Sequence, residues 1–137
     1  LGYLLMQVAF LKQRIINSAL RELDITYMQF VILAGISELE VENEIVTQQT
    51  ISTERRLDKA MVSNVVKTLI DKGLINRFTH PVDKRAYTLS LTAKGRKIAI
   101  QGKGIALKID ETFFASIDKD KFQQSLITLL KNDNNII

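Results

Sequence analysis

Four side chains between residues 57 and 73 have the types and the spacing of groups that read the edges of DNA base pairs. They are Ala60, Ser63, Asn64 and Lys67. Their intervals of three and four residues place them on one face of a helix. An asparagine amide can make paired hydrogen bonds to adenine, and a lysine can reach a guanine or a phosphate. The pattern therefore predicts a recognition helix that enters a DNA major groove.

Residues around this helix are candidates for supporting contacts. Ala60 and its neighbour Met61 could touch the methyl group of a thymine. Contacts to the phosphate backbone position a protein without reading sequence, and we predict them for polar or basic residues on either side. These are Thr47, Gln48, Gln49, Lys59 and Arg77. For each residue taken alone, an ordinary solvated surface remains the alternative.

The opposite face of the predicted helix is apolar, which gives the element a side to bury. Its stripe consists of Val62, Val65, Val66, Leu69 and Ile70. Gly73 then ends the helix, and two predicted strands, 74–79 and 86–91, enclose the loop 80–85. The single histidine, His80, lies in this loop, where we expect a turn or a phosphate contact and not a metal ligand. The segment reads as a helix followed by a wing.

Positive charge is concentrated on the same segment. The chain has 137 residues and a net charge of +4, but residues 47–100 hold 11 Lys and Arg against 4 Asp and Glu. Residues 1–46 hold 3 against 6, and residues 101–137 hold 5 against 5. This uneven distribution predicts attraction to phosphates, with a solvated surface as the alternative on charge alone.

Composition excludes several other classes of protein. With 46% hydrophobic residues, the chain is long enough for one compact core and too short for two. It has no cysteine, which excludes disulfides and thiolate ligands and is consistent with a reducing cytoplasm. No apolar run approaches the roughly 18 residues of a membrane span, so we expect no membrane partner. No nucleophile–base constellation, phosphate loop or metal motif can be assembled, and we expect no enzyme, no cofactor and no metal.

The remaining elements are predicted to be helical. Helices are expected at residues 2–22, 27–39, 48–53, 92–114 and 118–131 around the recognition helix and the hairpin. Thr26, Thr47 and Thr92 are predicted N-caps. We expect the glycines at 95, 102 and 104 to weaken the fifth helix, and residues 132–135 to fray. Because the chain begins within a helix, we also expect residues to precede Leu1.

The predicted terminal helices carry more apolar surface than a small winged lobe can cover. The C-terminal part of this surface is Leu107, Ile109, Phe113, Phe114, Ile117, Phe122, Leu126, Leu129 and Leu130. An interleaved homodimer is the simplest explanation, and folding back onto one monomer is the alternative.

Several short motifs, in order, resemble those of the MarR family of bacterial transcriptional regulators, which are dimeric winged helix-turn-helix proteins. The motifs are Ile25-Thr26-Tyr27-Met28-Gln29-Phe30, Thr47-Gln48-Gln49, Leu57-Asp58, Lys72-Gly73-Leu74-Ile75-x-Arg77, Asp83-Lys84-Arg85 and Leu91-Thr92-x-x-Gly95. Each is weak alone, but their order and spacing are specific, and the flanking segments match by helix layout.

The resemblance implies roles for the wing residues Asp83, Lys84 and Arg85. In the family, the arginine of an Asp-x-Arg motif enters the minor groove beside the recognition helix, which assigns that role to Arg85 and a local anchoring role to Asp83. An arginine at a hairpin tip also suits a narrow, electronegative minor groove. The resemblance further implies a small-molecule effector, for which the sequence identifies no binding residues.

Arg55 departs from the family pattern. It falls where the family tends to bury an apolar side chain, in the helix before the recognition helix. Either the turn between these two helices is repacked, or Arg55 swings out to a phosphate.

The sequence as a whole predicts a mainly α fold with a small β-hairpin wing. Residues 1–137 form one domain, in which 25–100 are the winged helix-turn-helix DNA-binding lobe and 1–24 and 104–137 are dimerisation helices. The predicted function is a transcriptional regulator, a repressor in the family's usual mode, that binds a palindromic operator in double-stranded DNA as a homodimer. The alternative is a winged-helix protein-interaction module without sequence-specific DNA binding.

Overall fold

The computed structural model describes residues 1–134, so residues 135–137 of the predicted C-terminal segment lie outside the described part. The helices are α1 (Gly2–Leu20), α2 (Tyr27–Val41), α3 (Gln48–Arg55), α4 (Lys59–Asp71), α5 (Ala93–Phe113) and α6 (Lys119–Leu130). Strands β1 (Ile75–Thr79) and β2 (Tyr87–Leu91) form an antiparallel hairpin between α4 and α5. Short 3₁₀ turns follow α1 and α6. The predicted mainly α fold with a hairpin wing is confirmed.

Helix starts follow the predicted caps because capping is a local interaction. The hydroxyl of Thr26 accepts the backbone N–H of Gln29 at 3.1 Å, and the Gln29 side chain accepts the N–H of Thr26 at 3.1 Å. Thr47 and Thr50 form the same reciprocal arrangement at the start of α3. Thr92 caps α5 by accepting the N–H of Gly95 at 2.9 Å.

Helix α5 runs without a break from Ala93 to Phe113, although it contains the three glycines that were expected to weaken it. A Cβ atom at Gly95 would lie 2.0 Å from the carbonyl oxygen of Leu74, and one at Gly102 would lie 2.6 Å from the ring of Phe30. These two glycines let α5 approach its neighbours closely. At Gly104, within residues 1–134, no atom outside the local helix backbone and the neighbouring residues lies within 4 Å of such a Cβ position.

The core lies between α2, α4, the base of the hairpin and the middle of α5. Its buried members are Ile16, Leu20, Ile25, Phe30, Ile32, Leu33, Ile36, Leu39, Val46, Ile51, Val62, Val66, Leu69, Leu74, Ile75, Leu89, Leu91 and Ala99. Helix α2 packs against α1, α3, α4 and α5 and is therefore the frame on which the other helices are placed. Among the described residues, no helix combines the length and the apolar character that a membrane crossing requires.

The apolar surface of the terminal helices divides into two kinds. The rings of Phe113, Phe114 and Phe122 pack on one another, with centroids 5.1 and 5.8 Å apart along the series, and are partly buried within one chain. Other side chains stay exposed, above all Leu4, Leu5, Leu107, Leu129 and Leu130. The predicted excess of apolar surface is therefore smaller around residues 113–122 than the sequence suggests and larger on α1.

Candidate nucleic-acid interface

Helix α4 is fixed at both ends by local hydrogen bonds. The Asp58 carboxylate accepts the N–H of Met61 at 3.0 Å and caps the first turn. At the other end, the N–H groups of Gly73 and Leu74 donate at 2.9 Å to the carbonyls of Ile70 and Leu69, with Gly73 at φ +74°. This is a Schellman motif, in which a residue without Cβ is favoured by the left-handed backbone. The predicted stop at Gly73 is confirmed.

The exposed face of α4 carries the residues predicted for base contact. Ala60, Ser63, Asn64 and Lys67 are exposed, while Met61 is half-buried and offers only part of its side chain. Lys59 is exposed in the first turn, away from the buried stripe of Val62, Val66 and Leu69. Whether these side chains contact DNA stays a prediction.

Sequence reasoning missed Thr68, which belongs to the same face. It is exposed, one turn after Asn64, and its hydroxyl donates to the carbonyl oxygen of Asn64 at 3.2 Å. The sequence does contain a signal for this placement, because a residue four positions after Asn64 lies on the same face of a helix. Thr68 extends the polar face toward the end of the helix.

The hairpin projects from the core as a wing, defined here as residues 75–91. Ile75 pairs with Leu91 at its buried base, and Thr79 pairs with Tyr87 at the start of the loop. The N–H of Leu89 donates at 2.8 Å to the carbonyl of Val46, which ties the hairpin to the segment before α3. Thus the base of the wing is anchored and its loop extends into solvent.

Two side chains shape the wing loop. The Nδ1 atom of His80 accepts the backbone N–H groups of Val82 and Asp83, each at 3.0 Å. The carboxylate of Asp83 accepts the N–H of Arg85 at 3.0 Å and lies 3.6 Å from its Nε atom. His80 therefore shapes the turn, which is the first of the two roles that the sequence predicts for it. The predicted anchoring role of Asp83 is consistent with this geometry. The Arg85 side chain is 95% exposed and free to meet a ligand.

A groove between the start of α3 and the wing brings most of the predicted backbone-contact residues together. It has a volume of about 570 Å³ and is lined by Thr47, Gln48, Gln49, Arg77, His80, Asp83, Arg85, Ala86 and Tyr87. We call it the wing groove. Lys84 is exposed on the loop but does not line the groove, and Lys59 belongs to the surface of α4. The hydroxyl of Thr47 is already engaged in capping α3.

Tyr87 is a second residue that the sequence analysis missed. The guanidinium carbon of Arg77 lies 4.5 Å from the centre of the Tyr87 ring, at the distance of a cation–π contact. Arg77 and Tyr87 lie on the same face of the hairpin, two positions apart across the strand pair. The ring therefore holds Arg77 over the wing groove. No sequence signal marks this contact before the strand register is known.

Arg55 stands where the family tends to bury an apolar side chain, and the structure shows the first of the two alternatives, a different packing around this position. Its guanidinium turns back onto α2, where it lies 2.7 Å from Glu38, and its side chain is only 23% exposed. Its Nε atom would lie 2.9 Å from a Cβ at Gly35, so the glycine on α2 makes room for it. The alternative in which Arg55 points out to a phosphate is not what the structure shows.

Residues 132–134 were expected to fray, but Asp133 pairs with Arg56, the residue after Arg55. Arg56 lies in the turn between α3 and α4 with φ +55°, and its guanidinium pairs with Asp133. Residues 131–134 form a 3₁₀ turn at this point. Through Asp133, the 3₁₀ turn at residues 131–134 is thus attached to the turn that precedes α4.

No three His, Asp or Glu side chains within residues 1–134 are close enough to hold a metal ion. The features at hand are those of a binding surface: an exposed polar helix face, an extended arginine and a cationic groove.

Comparisons with known proteins agree with this geometry. A family model described as an ArnR1-like winged-helix domain matches residues 21–106. The chain is 39% identical over 133 residues to the uncharacterised HTH-type transcriptional regulator YdcH of Bacillus subtilis, covering 96% of this chain and 90% of that protein. It is 32% identical over 101 residues to the multiple antibiotic resistance protein MarR of Salmonella typhimurium, covering 74% of this chain and 67% of MarR.

A solved structure gives the same result in three dimensions. A mutant of Escherichia coli MarR in complex with operator DNA superposes with a TM-score of 0.81 at 27% identity, covering 96% of this chain and 91% of that one. The family-model match, the sequence relatives and this structure confirm the resemblance that the sequence motifs indicate. The chain belongs to the MarR family of winged helix-turn-helix transcriptional regulators.

Proposed function

We propose that this regulator binds a palindromic operator as a homodimer in the cytoplasm and represses transcription by occupying it. Residues 25–100 of each protomer would be the DNA-binding lobe, and residues 1–24 and 104–137 would hold the two lobes together. The observation that carries the proposal is that the polar face of α4 and the wing groove belong to one lobe and hold most of the predicted contact residues.

In this arrangement each surface has its own task. The face of α4 would lie in the major groove, with Ser63 and Asn64 on base edges and Lys67 on a guanine or a phosphate. The wing groove would follow the sugar–phosphate backbone, and Arg85 would enter the neighbouring minor groove. The net charge of +7 on residues 47–100, from 11 basic and 4 acidic residues, favours this orientation over the acidic N-terminal part.

Support for the homodimer comes from α1. Its first ten positions, residues 2–11, are exposed in the single chain although they include Leu4, Leu5 and Phe10. A surface of this kind is covered by a partner in soluble proteins, and a second copy provides the same apolar face by two-fold symmetry.

We further propose that a small molecule adjusts the affinity for DNA. An apolar cleft of about 520 Å³ lies between α1 and α5 and is lined by Ile15, Ala19, Glu22, Ile105, Lys108, Ile109, Thr112 and Phe113. Its size suits a small ligand. Since α5 begins directly after the wing, a ligand that shifts this helix would reach the wing as well.

Binding to DNA can be tested with a duplex that the protein itself selects from random sequences. The affinity for this duplex, measured by fluorescence anisotropy, should fall with salt at a slope of about −0.9 per phosphate contact. Arg85→Ala should weaken binding about 10- to 100-fold while the fold is kept. Lys121→Ala on α6 removes the same charge from an exposed site outside the lobe and should have little effect.

The alternative, a protein-interaction module, predicts another outcome. Selection would then return no preferred sequence, and Arg85→Ala and Lys121→Ala would weaken a low, non-specific affinity to the same extent.

A further inference from the structure

The acidic residues at the end of α2 have no role in the DNA interface, yet one of them makes two specific contacts. Glu40 is 21% exposed in its side chain. Its Oε1 atom accepts the backbone N–H of Leu91 at 3.0 Å, and its Oε2 atom accepts a guanidinium N–H of Arg96 at 3.1 Å. Both oxygens of one carboxylate are therefore engaged, each by a different element.

The two partners lie at a junction of the fold. Leu91 is the last residue of β2, the strand that leads from the wing loop back to the core. Arg96 lies in the first turn of α5. Glu40 itself belongs to α2, which packs against α4 and α3. A single side chain thus connects the base of the wing and the start of α5 to the frame that carries the recognition helix.

Small changes at this base are enlarged at the loop. A strand rises about 3.3 Å per residue, so a hairpin with strands of five residues places its loop roughly 16 Å from Leu91. A rotation of about 10° at the base would move the loop by about 3 Å, a large part of a minor groove that is about 6 Å wide. The main-chain bond from Leu89 to Val46 holds β2 along its edge. The Glu40 carboxylate adds a side-chain contact that joins β2 to α2, on which Glu40 lies, and to α5, on which Arg96 lies.

We propose that Glu40 is a positioning residue for DNA recognition: it sets the position of the wing relative to the recognition helix through Leu91 and Arg96. The proposal rests on the proposed function, in which Arg85 enters the minor groove beside α4. It also assigns a role to the acidic end of α2, whose charge otherwise opposes a DNA-binding surface. Glu40 is turned inward and neutralised by Arg96.

The closest control is Glu42, two residues further along. Its side chain is exposed and makes no ion pair within residues 1–134. Glu42→Gln changes the net charge by the same amount as Glu40→Gln on the same segment. The comparison therefore separates the contact from the charge.

The experiment is hydroxyl-radical and methylation footprinting on the selected duplex, together with affinity and thermal unfolding. Glu40→Ala should lose protection in the flanking minor groove and bind about ten-fold more weakly, while major-groove protection at the recognition helix persists. Glu40→Gln retains an acceptor for the Leu91 N–H and should lose less. Arg96→Met should lose minor-groove protection to the same extent as Glu40→Gln, and combining the two should reduce this protection little further, because both remove the same contact. Glu42→Gln should match the wild type.

The outcomes separate the two proposals. If the wild type protects the minor groove and Glu40→Ala protects it equally, the role of Glu40 is wrong. A uniform loss of both protections in Glu40→Gln, at a temperature where it is folded, would show a general structural role instead. If the wild type protects no minor groove and Arg85→Ala changes nothing, the assignment of the wing itself fails, and the role of Glu40 fails with it.

Discussion

A variant of Asn64 on α4 can distinguish a contact to a DNA base from a contact to the DNA backbone. It is exposed at the middle of the polar face and has a side chain with both a donor and an acceptor. Asn64→Ala should reduce discrimination between the selected duplex and variants changed at one base pair by about 1–3 kcal/mol, with a smaller loss on random DNA. Competition binding measures both quantities. Equal losses on selected and random DNA would make Asn64 a backbone contact.

His80 shapes the wing loop as a hydrogen-bond acceptor. Its Nδ1 atom accepts two backbone N–H groups, and an asparagine Oδ1 atom can occupy nearly the same place. His80→Asn should therefore bind the selected duplex almost as the wild type does. His80→Leu loses both hydrogen bonds and should bind about 30-fold more weakly, since each such bond contributes about 1 kcal/mol to the order of the loop. Anisotropy measures both affinities, and equal affinity of the two variants would exclude the acceptor role.

For single residues, the sequence predicts which side chains are exposed on a helix face better than it predicts which residues contact one another. The exposed face of α4 follows from helical periodicity, so Ser63 and Asn64 could be identified without a structure. The contacts of Glu40 and Tyr87 join residues that are separated along the chain or depend on strand register. Arg55 shows the same limit, because its inward position requires the space that Gly35 leaves on α2.

For whole elements, the order of helices and hairpin was predictable and the role of glycine was not. The threonine caps and the stop at Gly73 depend on neighbouring residues, and they are confirmed. The low helix propensity of glycine predicts that Gly95 and Gly102 destabilise α5. The structure shows that the close packing of α5 on Leu74 and Phe30 requires glycine at both positions. Tertiary contact decides between these two effects.

The glycines of α5 offer a matched test of this explanation. Gly95→Ala would place a Cβ 2.0 Å from a backbone oxygen and should lower the free energy of unfolding by several kcal/mol or prevent folding. Gly104→Ala lies at an exposed helical site, where its Cβ would meet no atom of another part of the described chain within 4 Å. It should raise stability by about 0.5–1 kcal/mol. Urea unfolding measures both, and destabilisation by Gly104→Ala would indicate a contact with another chain at this position.

On the scale of the whole molecule, the structure changes which residues test the homodimer. Phe113, Phe114 and Leu126 belong to the apolar surface that the sequence predicts, but these side chains are partly buried within one chain, so polar variants would also disturb the packing of α5 and α6. Leu4 and Leu107 are 62% and 59% exposed. Leu4→Glu and Leu107→Glu should leave each lobe folded and shift sedimentation toward the monomer, because burying a charge in an interface is costly. A wild type that sediments as a monomer would exclude the homodimer.

The proposed homodimer would also set the spacing of the operator. Two recognition helices related by a two-fold axis must enter successive major grooves on one side of the duplex, so the half-sites should be inverted and about 10–10.5 base pairs apart. Inserting about five base pairs at the centre moves one half-site to the opposite side of the duplex and should reduce the affinity to that of a single lobe. The Leu4→Glu variant binds through one lobe at a time and should not respond to the insertion, since it gains nothing from a second half-site. Anisotropy on the two duplexes gives this comparison directly, and a wild type that tolerates the insertion would show that the two lobes are not held at a fixed distance.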